Sequence, residues 1–360
     1  MSRPLRVLRL ISHLGGGGTE TQCVEVLRAF AAQPDAHNLE VELATFWSKP
    51  HLHRAPESIA WHRLERGEGA AAAARTAFDL ARLLRRRRYD VVHALLWPAA
   101  ALALPLLPRQ TALLTSIHSS EIRTRPGKAA VLRAIGLRSD LLVFNNHPGV
   151  ESLRGRFGTL ASNCRVVPNG KRPLPAARVE GSRREGTIMV ARCVDSKRQD
   201  LLIDAWSELG DEAPAPLRFV GRGTDAPEFL RRARAVGADG LGERDDVDEL
   251  LLRSQIATLA TDHEGMPNAV LEGWNAGACV LASRVPGVRE LVRDEVDALL
   301  VENDPRAWAA ALRHVGRNPE LRSRLATRGR ARLVEEFSLE TTAARWAELY
   351  HDAARGRRRG

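Results

Sequence analysis

At 360 residues with 44% hydrophobic content the chain is long for one core, and roughly 100 to 200 residues per domain argues for two. The net charge of +10 arises in the first half, where residues 1 to 168 hold 23 Lys and Arg against 13 Asp and Glu and the remainder balances. Nucleic-acid binding is disfavoured by the absence of a recognition motif and by only 5% aromatics; the four cysteines have no metal-ligand spacing; prolines break the longest apolar stretch, 91 to 108, against a membrane span.

The opening MSRPLRVLRLISHL mixes arginine into a short apolar run with no small-residue cleavage site, so it reads as a first strand (7 to 13) and not as a leader. It runs into LGGGGTE, where Gly15 to Gly18 let the backbone approach a phosphate or acceptor and Thr19 is placed to cap the next helix. Further strands are expected at 39–46, 90–94, 112–118, 140–145 and 164–169, with helices filling most gaps. Arg82 and the run Arg85 to Arg88 accompany an Ala-rich helix, and Arg123, Arg125 and Lys128 share a loop. A solvated helix face accounts for such runs; the functional alternative is attraction to an anionic partner, a membrane surface or a phosphorylated acceptor. His118 closes a strand, at a carboxyl edge facing the site.

Residues 170 to 185 are Pro-, Gly- and Arg-rich without periodicity and read as a linker. The rhythm then restarts, with strands at 186–192, 217–221, 255–260 and 278–283. Two βαβ domains with parallel sheets follow, 1–170 and 171–339, with a site in the cleft between them; a last amphipathic segment, 340–356, is free to cross back to the first domain.

The stretch HEGMPNAVLEGWNAG (263 to 277) follows an apolar strand and opens a helix near Pro267. In open parallel sheets ligands bind at that carboxyl edge, and free N–H groups at a helix start favour anions. Glu264 occupies the loop, Asn268 and Glu272 lie one turn apart on one helix face, and Val270, Gly273 and Gly277 suit close packing on the sheet. Arg192, at the end of the second domain's first strand, and Lys197, at a helix start, suit a diphosphate. In LRFVGRG, Gly221 and Gly223 form a turn that leaves room for a nucleotide base.

These segments, with LGERDDVDELLLRSQIATLATDHEGMPNAVLEGWNAGACVLASRVPGVREL and FSLETTAARWAELY, resemble the retaining, metal-independent glycosyltransferases of the GT-B fold, specifically the large fourth family. The resemblance covers nearly the whole chain, most densely 186 to 350. It implies an α/β GT-B architecture of two Rossmann-like βαβ domains facing an interdomain cleft, the first binding acceptor and the second a nucleotide diphosphate-sugar donor. It implies that Glu264 contacts the donor sugar and Glu272 the ribose, that backbone N–H groups of Gly265, Met266, Pro267 and Asn268 cradle sugar and phosphate (Pro267 contributing no donor), and that Arg192 and Lys197 neutralise the leaving diphosphate without a metal. Gly17, Gly18 and His118 would lie near the diphosphate and transferred sugar. Thr261, Asp262 and His263 depart from the serine often found before the first glutamate, which bears on sugar contacts. No cofactor and no nucleic acid is implied. The partners implied are the donor and a saccharide acceptor, lipid-linked or otherwise anionic, in cell-surface polysaccharide or glycoconjugate assembly, with cytoplasmic location and peripheral contact at the inner face of the membrane. Rival readings are a sugar-nucleotide epimerase of the same fold and a catalytically silent binding module.

Overall fold

The computed structural model describes residues 3–120, 122, 126–182 and 184–359, so Arg123 and Arg125 of the expected basic loop lie outside the described residues. The chain divides into two compact units, Met1–Gly170 with Leu339–Gly360, and Lys171–Ser338.

The first unit is a seven-stranded parallel sheet of β1 (Leu5–Ile11), β2 (Leu39–Thr45), β3 (Trp61–Arg63), β4 (Val91–Leu95), β5 (Ala112–Ile117), β6 (Leu141–Phe144) and β7 (Cys164–Val166), ordered β3-β2-β1-β4-β5-β6-β7. Every ladder is parallel, with Val7 of β1 level with Val41 of β2 and Val91 of β4. Sheets buried on both faces need near-continuous apolar strands, and β1 shows why. Leu5, Val7 and Ile11 enter one core with the helix Gly18–Ala32, while Leu8 and Leu10 enter another with the helices Ala70–Arg87 and Trp97–Ala103. The last helix, Leu339–Arg359, contributes Trp346 and Tyr350 to the first of these cores. The apolar stretch 91 to 108 resolves into β4 and that short helix, and no helix among the described residues is long and apolar enough to cross a membrane.

The second unit is a six-stranded parallel sheet of β8 (Thr187–Val190), β9 (Leu217–Val220), β10 (Ala238–Gly240), β11 (Ile256–Leu259), β12 (Cys279–Ser283) and β13 (Leu299–Val301), ordered β10-β9-β8-β11-β12-β13. Counted within the unit this is the 3-2-1-4-5-6 order of a doubly wound dinucleotide-type fold, whose strand order reverses between β8 and β11. The pleat again sorts the core: Ile188, Val280 and Ala282 face one side, Met189, Cys279 and Leu281 the other.

Several sequence expectations are corrected. Strands β3, β10 and β13 go unread because each has three residues, too few to show a period. The stretch 170 to 185 is not wholly irregular, since Ala176–Glu180 forms a helical turn whose Val179 is buried. Pro267 is the residue before the helix Asn268–Ala276 instead of its first position. Thr19 lies inside the helix Gly18–Ala32, whose N-cap is Gly17, and so does not cap it. Arg85, Arg86 and Arg87 form the last turn of the helix Ala70–Arg87, where cations complement the exposed carbonyls of a helix end.

Candidate active site in two Rossmann-like units

In the second unit the strand ends at the reversal point carry the residues of interest. After β8 the chain passes Arg192 and a single turn, Asp195–Lys197, before the helix Gln199–Leu209. After β11 it passes Thr261 to Pro267 before the helix Asn268–Ala276. The Lys197 ammonium donates to Glu264 Oε1, joining the two loops; both side chains are part-buried. The exposed Arg192 guanidinium has no ion pair among the described residues, and its carbonyl accepts from Gln199 Nε2 at 2.9 Å.

A polar network holds these loops. Thr261 Oγ1 donates to Ser196 O at 3.0 Å, the Asp262 amide donates to the same carbonyl at 2.9 Å, and Arg198 Nη1 donates to Asp262 Oδ1 at 3.0 Å. From the next strand, Ser283 Oγ accepts from the Thr261 amide at 2.8 Å and donates to Asn303 Oδ1 at 2.6 Å, and Asn303 Nδ2 donates to Thr261 O at 2.9 Å. Thr261 is fully buried, so its hydroxyl acts on loop position. Ser196, Ser283 and Asn303 escaped the sequence reading because scattered single polar residues carry no spacing signal.

Two close approaches complete the frame. Gly287, opening the helix Pro286–Leu291, lies so near the loop that a Cβ there would meet Glu264 O and Gly265 O at 2.2 Å each. Gly221, at φ 136°, lies so near β8's exit that a Cβ would meet Ala191 O at 2.3 Å. Gly221 therefore sets the strand end that leads to Arg192, and Gly223, at φ 87°, packs on Cys193. Gly273 lets its helix rest on the sheet, where a Cβ would meet Val280 at 2.8 Å and Ala257 at 3.0 Å. Glu272, part-buried on that helix, pairs with Lys171 Nζ at 3.6 Å.

Gly17, Gly18 and His118 belong to the first unit. His118 lies just past β5, and its Nδ1 is 3.0 Å from Thr19 Oγ1, so the Gly-rich loop's helix and the histidine are linked. Burial, reinforced by the Arg9 guanidinium, pushes the His118 imidazole down to about 4, so it is neutral at pH 7. Arg9 is itself buried in the core, its Nη1 3.4 Å from Tyr350 Oη and its guanidinium 5.7 Å from the Trp346 ring centre. His93 beside it has Nδ1 at 2.7 Å from Tyr350 Oη and Nε2 at 2.5 Å from Ser116 Oγ.

Each unit thus carries a doubly wound sheet, with small and charged residues gathered at the carboxyl ends of its strands. Residues 16–171 match the family model described as Glycosyltransferase Family 4, and residues 184–318 that described as Glycosyl transferases group 1. The chain therefore carries two domains, one matching the family 4 and the other the group 1 glycosyltransferase model, in the fold of GT-B structural neighbours. Among curated relatives, it is 28% identical to the lipopolysaccharide core biosynthesis glycosyltransferase LpsE of Rhizobium meliloti over 45% of this chain and 48% of that protein, so the chain spans about half the length of that relative. The D-inositol 3-phosphate glycosyltransferase of Geodermatophilus obscurus is 29% identical over 74% of this chain and 67% of its own length. Among solved structures, Anabaena Alr3699/HepE in complex with UDP and glucose superposes with a TM-score of 0.77 at 15% identity, covering 97% of this chain and all of that one. Sucrose-phosphate synthase from Thermosynechococcus elongatus gives 0.80 at 18% identity over 98% of this chain and 100% of its own. At such identities the structures establish the fold.

Proposed function

We propose that this chain is a retaining hexosyltransferase that takes its sugar from a nucleotide diphosphate-sugar and passes it to a saccharide acceptor, lipid-linked or otherwise anionic, in cell-surface polysaccharide or glycoconjugate assembly. The observation that carries this reading is the meeting of Lys197 and the Glu264 loop where the second sheet's strand order reverses, with Arg192 on the same segment after β8 as Lys197. The names of the relatives, which concern lipopolysaccharide core and inositol phosphate glycosylation, and the UDP and glucose found with one structural neighbour, support it.

In this reading the donor diphosphate lies at the N-terminus of the helix Asn268–Ala276, where free N–H groups complement its charge. Arg192 and Lys197 supply the cationic charge that a metal would otherwise bring, and Glu264 exchanges its bond to Lys197 for donor sugar hydroxyls. Glu272 exchanges Lys171 for the ribose hydroxyls. The bond between the anomeric carbon and the phosphate oxygen breaks as the acceptor oxygen bonds that carbon on the same face, and the acceptor proton passes to the departing diphosphate. The neutral His118 serves the transferred sugar as a hydrogen-bonding group. Peripheral contact with the inner face of a membrane, in the cytoplasm, would draw on the exposed Arg85 to Arg88; salt extraction from membranes tests it, and a protein fully soluble at low salt contradicts it.

The test of the activity is release of nucleoside diphosphate from UDP-, GDP-, ADP- and dTDP-sugars with a lipid-extract acceptor, followed by NMR of the product's anomeric proton. Acceptor-dependent release with retained configuration is expected. Conversion of the sugar nucleotide without acceptor would mark an epimerase, and inertness towards all donors a silent binding module.

A further inference from the structure

Two exposed tryptophans occupy equivalent places on either side of β1. Trp47 follows β2 and Trp97 follows β4, the two strands that flank β1, and each is 39% exposed. Each carries a lysine ammonium over its ring, Lys49 at 5.1 Å from the Trp47 centre and Lys128 at 5.0 Å from that of Trp97. Both tryptophans stand on fixed backbone. The Trp47 amide donates to Ser12 O at 2.7 Å, and His13 stacks at 6.0 Å from its ring. Trp97 follows Leu96, whose φ of 71° and ψ of 161° belong to a region essentially reserved for glycine, and the Leu96 amide is fixed to Ser116 O at 3.1 Å. A leucine held there aims the next residue, and such strain gathers at binding sites. Strands two apart place their ends about 10 Å from each other, with the Gly15–Gly18 loop after β1 between them.

We propose that Trp47 and Trp97, with Lys49 and Lys128, form the acceptor subsite and select a sugar bearing a phosphate. The apolar C–H face of a pyranose lies on an indole, and the ammonium already above that ring turns to the anionic group, as its long exposed stem allows. This rests on the glycosyltransferase reading for the assignment of an acceptor.

The experiment is ligand-observed saturation-transfer NMR of glucose 1-phosphate with UDP present at saturation, so that the second unit's site is filled. Trp47→Ala and Trp97→Ala should each weaken glucose 1-phosphate about tenfold, the loss of one contact of about 1.4 kcal/mol, with Trp→Phe restoring most of it. Lys49→Gln with Lys128→Gln should bring glucose 1-phosphate to the affinity of neutral glucose. An alkyl diphosphate-linked glucose in micelles separates the sources: tighter binding than glucose 1-phosphate indicates a lipid-linked acceptor, equal binding a free phosphosugar, and both support the subsite. Binding of neither compound by the wild-type protein, or unchanged binding in the alanine variants, overturns it. Normal UDP binding alongside those failures would leave the glycosyltransferase reading standing, whereas its absence from the wild-type protein would count against that reading.

Discussion

Gly287→Ala should disable this protein without removing any group placed on the substrate. The added Cβ would sit 2.2 Å from both Glu264 O and Gly265 O, and both obstacles are backbone, so neither can rotate away. Reaching even 3.0 Å, a separation real contacts rarely undercut, moves the loop or the helix Pro286–Leu291 by roughly 0.8 Å. Because Glu264 is the displaced residue and its partner Lys197 stands on a different loop, the shift changes their mutual placement. A misplacement of about 1 Å at a reacting centre costs on the order of 10²-fold in rate, while overpacking costs about 1 to 3 kcal/mol of stability. The assay is steady-state release of nucleoside diphosphate, with a urea midpoint measured in parallel to show that the variant is folded. A folded variant with wild-type kcat would refute the argument that this glycine sets the glutamate's position.

Other consequences are equally direct. Lys197→Ala and Glu264→Ala should each lower turnover about 10²- to 10³-fold, the effect of losing one preorganised contact to developing charge; near wild-type turnover in either removes the assigned role. Glu272→Ala should raise KM for the donor with little change in kcat, read from initial rates across donor concentration, and an unchanged KM counts against ribose binding. Acid should destabilise the first unit. Burial lowers His118 to about 4 and holds His93 well below its ordinary value, whereas in the unfolded chain both return to about 6.5, so the unfolded state binds more protons in that window. The His118 contribution is complete above about pH 6.5 and is lost as pH falls towards 4, on the order of 1 to 2 kcal/mol at pH 5, and the His93 contribution is lost in the same acid direction. Urea midpoints at both pH values check this, and His118→Gln should flatten the dependence; an equally steep fall in that variant would contradict it.

The glycine-rich turns, the alternation of strand and helix and the segment from His263 to Gly277 are local features, and local features are visible in a sequence. Gly273 could be read as a packing position on the sheet because helical spacing sets it on one face with Val270, whereas Gly277 ends that helix as its left-handed C-cap beside Val179 and does not pack on the sheet. The frame around Glu264 could not be read locally: Ser196, the Ser283 to Gly287 turn and Asn303 come from three separate segments and meet through the parallel sheet, whose neighbours are distant in sequence. Arg9 shows the same limit in the core. Its charge sits in an apolar strand, yet it is buried against Trp346 and Tyr350, more than 300 positions later in the chain. Trp47 and Trp97 fall where strands end, and the backbone strain at Leu96 is invisible without coordinates.

The central claim is that the second unit holds a nucleotide diphosphate through Arg192 and Lys197. Thermal unfolding of the wild-type protein and of the Arg192→Ala and Lys197→Ala variants, with UDP, GDP, ADP and dTDP in turn, measures this directly. A nucleotide at 100 times its Kd adds about 2.7 kcal/mol of stability. The account predicts a clear upward shift in melting temperature with one nucleotide and its loss in both variants. No shift with any nucleotide, or a shift that survives both substitutions, would contradict it.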